Sequence, residues 1–407
     1  MRKLKWLIPG MGIKRWIFLC IVGIGLTALG AVLFFKEGII FKILGFVTFL
    51  IGAYVTIISI REMIRFIINI LLPQREKKLV DIVYTKRQLS KGPNIVTIGG
   101  GTGLSTLLHG LKEFTSNISA IVTVTDDGGS SGRLRKEFNI LPPGDIRNCL
   151  VALADVEPLM RDLFQFRFNE ESELKGHNFG NLFITVMSEL TGDFDKAVKA
   201  LSKILAIRGQ VIPSTLKPVT LVAKHKNGQT TKGETQITQT EERIDKIFLN
   251  PPRCELTKEA KDAIGRAEAI TFGPGSLYTS IISNLLIKEM QDAIFKSKAV
   301  KIYICNIMTQ SHETDRYSAS DHIKAIIQHT NSSIIDYVII NTQGIPQGFL
   351  EKYKEENAYP VENDSDKIRE MGYKVIEKDL INTKDYVRHN SKGLAKTVLG
   401  IISGKPH

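Results

Sequence analysis

The sequence has 407 residues, of which 43% are hydrophobic and 24% are charged. This size and composition predict two or three folding units with a large buried core, and they exclude a disordered tail or a mini-protein that needs disulfides. The four cysteines lie at positions 20, 149, 254 and 305, with no close pair such as C-x-x-C. This spacing argues against a zinc ribbon and indicates a reducing compartment.

The net charge of +12 is concentrated at the N-terminus. Residues 1–92 hold 15 Lys and Arg against 4 Asp and Glu, which leaves 39 against 38, or +1, for residues 93–407. A nucleic-acid binder is expected to have a basic folded domain, which residues 93–407 do not provide. We therefore expect no nucleic-acid partner.

Two long apolar segments open the chain. Residues 16–35 and 43–60 contain no charged side chain. Each is long enough to cross a hydrocarbon core of about 30 Å as a helix. The sequence therefore predicts a two-helix transmembrane hairpin within residues 1–72. The alternative is a cleaved signal peptide, but a second span follows the first at once.

Basic residues flank this hairpin on both sides. Residues 1–15 and 61–78 carry most of them, whereas the turn between the spans is short. The positive-inside rule therefore places both ends in the cytoplasm. Residues 61–72 either continue the second helix into the headgroups or lie along the membrane surface. The charged segment 73–92 is predicted to be a linker.

Beyond residue 93 short apolar runs alternate with helical segments. The predicted strands are 94–98, 118–125, 269–272, 300–307 and 334–340, and 104–114 is a predicted helix. Alternating strands and helices predict an α/β fold with a mostly parallel sheet and helices on both faces. The Thr-rich segment 213–246, including the alternating stretches 220–224 and 233–239, is predicted to be a β-rich insertion.

The first candidate site is the glycine loop between a predicted strand and a predicted helix. It comprises Gly99, Gly100, Gly101, Thr102 and Gly103. Glycine lets a ligand approach the backbone closely, and the free N–H groups of a helix start favour a phosphate. The dinucleotide pattern G-x-G-x-x-G is absent, which argues against an NAD-dependent oxidoreductase. The alternative is a turn that only lets the chain bend.

Asp126 and Asp127 follow the second predicted strand. Doubly wound folds place ribose or metal contacts at this position. These two carboxylates are therefore candidate Mg²⁺ ligands, with phosphates supplying further oxygens. Neighbouring side chains of a strand end point to opposite sides, so we expect one to face the ligand and the other to brace the next loop. A surface turn is the open alternative.

Two polar motifs precede apolar helices. Residues 142–148 contain Asp145 and Asn148, and residues 176–181 contain His177, Asn178 and Asn181. Amide and imidazole groups suit recognition of a base, a sugar hydroxyl or a phosphate. The alternatives are a simple helix cap by Asp145 and a solvated histidine.

A second glycine loop also follows a predicted strand and opens a helix. Its candidate nucleotide-binding residues are Gly273, Pro274, Gly275, Ser276, Leu277 and Thr279. Two such loops on one sheet predict a shared ligand crevice.

Six motifs in order resemble one known family. The strings NIVTIGGGTG, TVTDDGGSSGRLR, PPGDIRN, GHNFGNL, FGPGSLYTSI and NIMTQSHETDRYSASDHI are similar to the bacterial YvcK gluconeogenesis-factor branch of the CofD-like superfamily. The resemblance covers residues 93–400 and implies a Rossmann-like fold with a nucleotide in the crevice. The superfamily's enzyme branch is 2-phospho-L-lactate transferase, which uses Mg²⁺ and a guanosine diphosphate-linked donor.

The YvcK branch implies a different role, which is regulation of cell shape and wall synthesis on gluconeogenic carbon, with binding of UDP-sugars. Its usual members lack the hairpin, so the resemblance makes the hairpin a departure. We expect a nucleotide-sugar-binding regulator at the bacterial cytoplasmic membrane, with its soluble domain in the cytoplasm. A phospholactyl-type transferase is the alternative. The sequence leaves the base, any reaction and a homo-oligomeric state open.

Overall fold

A computed structural model describes residues 13–71, 79–156, 158–169, 171–330, 334–383 and 386–404. The helices are α1 Ile13–Phe34, α2 Ile39–Leu71, α3 Leu79–Leu89, α4 Gly101–Leu111, α5 Gly129–Phe138, α6 Pro143–Leu153, α7 Pro158–Gln165, α8 Phe179–Thr191, α9 Phe194–Ile204, α10 Glu234–Gln239, α11 Lys258–Arg266, α12 Ser283–Leu285, α13 Lys288–Lys296, α14 Ala319–Thr330, α15 Gln347–Glu355, α16 Ser365–Glu370 and α17 Ser391–Ile402. A π-helical turn, Leu277–Ile282, leads into α12. The strands are β1 Ile95–Gly99, β2 Ile118–Val122, β3 Gln210–Pro213, β4 Thr220–His225, β5 Thr230–Lys232, β6 Ile244–Asn250, β7 Ala269–Phe272, β8 Val300–Ile304, β9 Tyr337–Asn341, β10 Lys374–Lys378, β11 Ile381–Asn382 and β12 Arg388–His389.

The chain divides into two compact units, 1–87 and 88–407. In the first, α1 and α2 pack against each other as an antiparallel hairpin, and glycines lie at their contact. A Cβ atom on Gly30 would lie 2.7 Å from the Cα of Phe49, and one on Gly45 would lie 2.8 Å from the Cα of Phe34. Larger side chains at these two positions would therefore collide with the opposite backbone.

The two helices are long and apolar enough to span a membrane. The segments long and apolar enough are Lys14–Phe34, with 21 residues, and Ile39–Phe66, with 28 residues. The second helix begins four residues before the predicted span and continues to Leu71, so residues 61–71 extend it. Thr27, Thr48 and Thr56 each donate a side-chain hydrogen bond to the carbonyl four residues earlier, which satisfies these hydroxyls within the helix.

The second unit is built on a parallel sheet. Seven strands of the described chain form it in the order β10-β9-β8-β7-β1-β2-β3. Every residue of β1 and of β7 is buried, so helices must cover both faces of the sheet centre. This confirms the predicted α/β fold. The edge strands β3 and β10 were not predicted, because β3 has only two aliphatic residues and three of the five residues of β10 are charged.

The predicted β-rich insertion is a separate three-stranded antiparallel sheet in the order β5-β4-β6. It extends to Asn250, beyond the predicted end at residue 246. The expected strand over 233–239 is wrong, because Glu234–Gln239 forms α10. Gly233 adopts a φ of +94°, which turns the chain out of β5 and into this helix.

The predicted linker 73–92 contains a helix in its described part, since α3 occupies Leu79–Leu89. The second unit begins at Gln88 rather than residue 93. Leu89 is buried, and its carbonyl accepts a hydrogen bond from the Ser116 backbone at 3.0 Å. The end of α3 is therefore part of the folded unit. Residues 72–78 of the predicted hairpin and linker lie outside the described residues.

Candidate nucleotide-binding site

The sheet reverses its winding between two central strands. From β1 the chain proceeds to β2 and β3 on one side, whereas β7 is followed by β8, β9 and β10 on the other. Both strands next to β1 pair with it in parallel. A crevice forms outside the carboxyl ends of strands at such a reversal, and ligands of doubly wound folds bind there.

The two predicted glycine loops meet at this reversal. Gly100 precedes α4 without a side-chain cap, and Gly101 has a φ of +58°. A Cβ on Gly103 would lie 2.6 Å from the carbonyl oxygen of Pro274 and 2.7 Å from the Cα of Gly275. Only glycine at residue 103 permits this approach. The first N–H groups of α4 therefore open beside the second loop.

Asn306, at the end of β8, braces the second loop. Its Oδ1 accepts from the Gly275 backbone at 3.1 Å, and its Nδ2 donates to the Gly275 carbonyl at 2.8 Å. Ser276 caps the π-helical turn by accepting from the Thr279 backbone at 3.2 Å. These bonds fix the shape of the loop before any ligand binds.

A cavity of about 650 Å³ opens between the two loops. The predicted site residues that line it are Gly100, Gly101, Thr102, Gly103, Asn148, Pro274, Gly275, Ser276 and Thr279. Gly99 and Leu277 instead support the loops from within the fold. The Gly99 carbonyl accepts hydrogen bonds from the Thr123 backbone and from Asn284, each at 3.0 Å, and Leu277 is fully buried. Gly273 adopts a φ of +78° at the end of β7.

The two predicted carboxylates separate as expected for neighbours at a strand end. Asp127 accepts hydrogen bonds from the backbone and hydroxyl of Thr235, both at 2.9 Å. It therefore braces the first turn of α10, as expected for one of the two carboxylates. Asp126 accepts from the Gly128 backbone at 2.9 Å and lines a second cavity of about 240 Å³.

The second polar motif holds α8 against α5. His177 lies 3.2 Å from the Ser130 hydroxyl through its Nδ1, and burial lowers its pKa. Asn178 caps α8 by accepting from the Asn181 backbone at 3.2 Å. Asn181 accepts from Arg147 at 3.1 Å and lines the 240 Å³ cavity with Asn148. His177 and Asn178 therefore position the site, whereas Asn148 and Asn181 face open space.

Four further carboxyl groups line the 650 Å³ cavity and were not among the predicted site residues. They are Asp145, Glu234, Glu313 and the exposed Glu356. Burial and the neighbouring Asp126 raise the pKa of Asp145 to about 7. Burial, with Asp145 as the nearest like charge, also raises the pKa of Glu234. Asp145 and Glu313 lie within quoted motifs, but a single sequence does not show which acids in a motif face a cavity.

The Asp145 carboxylate lies against the first glycine loop. A Cβ on Gly101 would lie 2.9 Å from its Oδ1. Within the described residues, no three carboxylate, imidazole or thiolate groups converge as a metal site. Asp126 and Asp145 are hard oxygen donors, so they fit Mg²⁺ only where phosphate oxygens complete the coordination.

Cationic groups approach the crevice from β12. Arg388 is the one Lys or Arg among the described residues that line the 650 Å³ cavity. His389 beside it is buried, and burial lowers its pKa to about 4, so its imidazole is neutral at pH 7. Arg147 in the second cavity has its pKa lowered to about 10 by burial. β12 was not predicted to be part of the site, because its two residues belong to no glycine loop and to no acidic motif.

Comparisons with known proteins agree with this architecture. A family model described as 2-phospho-L-lactate transferase CofD matches residues 95–381. The gluconeogenesis factor of Bacillus subtilis (strain 168) is 46% identical over 315 residues, which are 77% of this chain and 99% of that protein. A crystal structure of a member of the UPF0052 family from Bacillus halodurans has a TM-score of 0.74 and 44% identity, and covers 76% of this chain and 99% of its own.

The N-terminal segment of this chain also aligns with relatives. A relative from Clostridium acetobutylicum is 42% identical over 420 residues, which are 100% of this chain and 93% of that protein. A Nostoc relative is 43% identical over 99% of this chain. The alignments therefore include the hairpin region, and the expectation that it is a departure of this sequence alone is wrong. The chain belongs to the CofD-like family and, within it, stands among the relatives of the gluconeogenesis factors.

Proposed function

We propose that the chain binds a nucleotide sugar of the UDP-sugar class and acts as a regulator of cell shape and envelope synthesis during gluconeogenic growth. The observation that carries this proposal is the meeting of two glycine loops at the reversal of the sheet. The uncapped start of α4 offers N–H groups to phosphates there. The cavity of about 650 Å³ is within the range of ligand pockets.

A glycine substitution tests the binding site. Gly101→Val places a β-branched residue at a φ of +58° and next to the Asp145 carboxylate. We expect calorimetry to show at least a tenfold loss of affinity for UDP-N-acetylglucosamine. Gly265→Val is the matched control, because a Cβ at this position meets open space. Equal affinities of wild type and Gly101→Val would reject the site.

The regulatory role needs a test in cells. A strain without this protein should lose normal shape on gluconeogenic carbon and regain it when the wild-type gene is supplied. Gly101→Val should fail to restore shape, whereas Gly265→Val should succeed. Restoration by both variants would separate the cellular role from nucleotide binding and contradict the proposal.

The location is proposed to be the cytoplasmic membrane, with the second unit in the cytoplasm. The two helices support this by length and composition, and basic residues flank them. A cysteine introduced at Gly38, in the turn, should react with an impermeant thiol reagent in intact cells. A cysteine at the exposed Lys91 should react only after permeabilisation. Labelling in the reverse order would overturn this topology.

A phospholactyl-type transferase is the second candidate, and Asp145 is the observation that favours it. A carboxyl group with a pKa of about 7 can accept a proton from an attacking hydroxyl at neutral pH. Bound Mg²⁺ would neutralise charge on the diphosphate, with Asp126 as its protein ligand and Asp145 left free to take the proton. Metal-dependent turnover of a nucleoside-diphosphate-linked donor, abolished by Asp145→Asn, would favour the enzyme over the regulator.

A further inference from the structure

Two buried oxygen atoms, on residues that line the 650 Å³ cavity, have no hydrogen-bond partner among the residues that the structure describes. They are Oε2 of Glu313 and Oε1 of Gln310, in the segment that follows β8. Both residues line the cavity between the glycine loops. Glu313 is only 4% exposed, so bulk water does not solvate its carboxyl group.

The other carboxyl oxygen of Glu313 accepts three hydrogen bonds. Its Oε1 accepts from the Ser276 hydroxyl and from the backbones of Tyr278 at 2.9 Å and Thr279 at 3.0 Å. These three donors hold the carboxyl group at the start of the π-helical turn. The direction of Oε2 is therefore fixed before a ligand arrives, as expected for a recognition group rather than a mobile surface acid.

A buried acceptor without a partner destabilises the fold, because nothing replaces the hydrogen bonds that it makes to water in the unfolded chain. Such groups in native folds call for an explanation, and a ligand that supplies the missing donor is one. A phosphate does not supply one, because its oxygens are acceptors and carry negative charge. The uncharged parts of a nucleotide sugar do offer donors to Oε2, namely the sugar hydroxyls and the imide N–H of a base.

We propose that Glu313 and Gln310 form a recognition subsite that accepts hydrogen bonds from neutral O–H or N–H groups of the nucleotide sugar. This inference rests on the proposed nucleotide-sugar binding. It assigns the α4 side of the crevice to phosphates and the side after β8 to the uncharged part of the ligand. A site that hydrogen-bonds a ligand donor discriminates strongly against analogues without it, because its own buried acceptor is then left unpaired.

The test is Glu313→Gln, measured by calorimetry with UDP-N-acetylglucosamine and with UDP. The glutamine carbonyl retains the three bonds of Oε1 and places an N–H₂ group where Oε2 was. We expect at least a tenfold loss of affinity. A loss with both ligands assigns the donor to the uridine part, and a loss with the sugar nucleotide alone assigns it to the sugar.

The matched control is Glu351→Gln, since Glu351 is an exposed glutamate of α15 that is not among the residues lining the cavity. We expect its affinity to stay within twofold of wild type. Gln310→Ala leaves the bonds of the π-helical turn intact and should weaken binding by two- to tenfold, with an unchanged melting temperature. This variant keeps the test decisive if Glu313→Gln does not fold.

Unchanged affinity of both Glu313→Gln and Gln310→Ala, in a wild type that binds nucleotide, would overturn this inference alone. Failure of the wild type to bind either ligand would overturn the proposed function and the subsite with it.

Discussion

At the scale of single residues, Gly103 is where the two glycine loops touch. Gly103→Ala would place a methyl group 2.6 Å from a backbone oxygen of the second loop. We expect the loops to separate, with a loss of about 1–3 kcal/mol in the free energy of unfolding and weaker nucleotide binding. Thermal unfolding and calorimetry measure the two effects.

Gly99→Ala is the control for this change. A Cβ on Gly99 would meet the Leu104 side chain at 3.6 Å, an ordinary van der Waals contact. We expect nearly wild-type stability and affinity. Equal behaviour of the Gly99 and Gly103 variants would show that the loop contact does not shape the site.

We expect Asp145 to make the proposed nucleotide binding dependent on pH. Its pKa is raised from 3.8 to about 7, so the neutral form predominates below pH 7 and the charged form above it. The charged carboxylate beside Gly101 should repel phosphates, so affinity should fall as the pH rises through 7. One linked proton limits the loss to tenfold per pH unit.

The measurement is the affinity for UDP-N-acetylglucosamine between pH 6 and 8.5 in EDTA, where the diphosphate diester does not titrate. Asp145→Asn should remove the pH dependence and bind as tightly at pH 8.5 as wild type does at pH 6. An affinity that rises with pH in wild type would contradict the repulsion.

The site illustrates which residues a single sequence identifies. The glycine loops were predicted because glycine at a strand-to-helix junction has a specific backbone use. The sequence did not show which of the two aspartates braces a loop because the partner of Asp127, Thr235, lies 108 positions away, and Glu313 was missed because its partner, Ser276, lies 37 positions away. Partners this distant are fixed by tertiary packing, which no local pattern records.

At the scale of elements, the hairpin depends on close helix packing at Gly30. Gly30→Leu should force α1 and α2 apart, because its Cβ would lie 2.7 Å from the Phe49 backbone. Gly25→Leu is the control, since a Cβ there meets open space. We expect the first variant alone to separate the helices.

Spin labels at the exposed positions Phe18 and Ile57 can measure this separation in detergent, with Cys20 and Cys254 replaced by serine. The distance distribution should broaden for Gly30→Leu and remain narrow for Gly25→Leu. A narrow distribution for both would show that the glycine contact is dispensable.

Element prediction succeeded where strands are buried and failed at the edges. The central strands β1, β7, β8 and β9 are mostly apolar, as burial on both faces of the sheet requires. The helix α10 was predicted as a strand because its Thr-rich sequence alternates, while the capping bonds from Asp127 favour the helix. A tertiary contact here overrides local propensity.

At the scale of the whole molecule, the candidate nucleotide site and the two long apolar helices belong to separate units. Every residue that lines the 650 Å³ cavity lies between Gly100 and His389, within the second unit. The Bacillus subtilis relative aligns over 99% of its length to 77% of this chain, so a relative of this fold exists without the remaining quarter. The second unit should therefore fold and bind ligand alone.

A chain without residues 1–78 keeps α3 and the buried Leu89. We expect it to remain in solution without detergent and to bind UDP-N-acetylglucosamine within twofold of the full chain in detergent, because no crevice contact is removed. In cells it should leave the membrane fraction, since both apolar helices are gone. A folded fragment with tenfold weaker binding would show that the hairpin contributes to the site, and continued membrane association would show a second attachment surface.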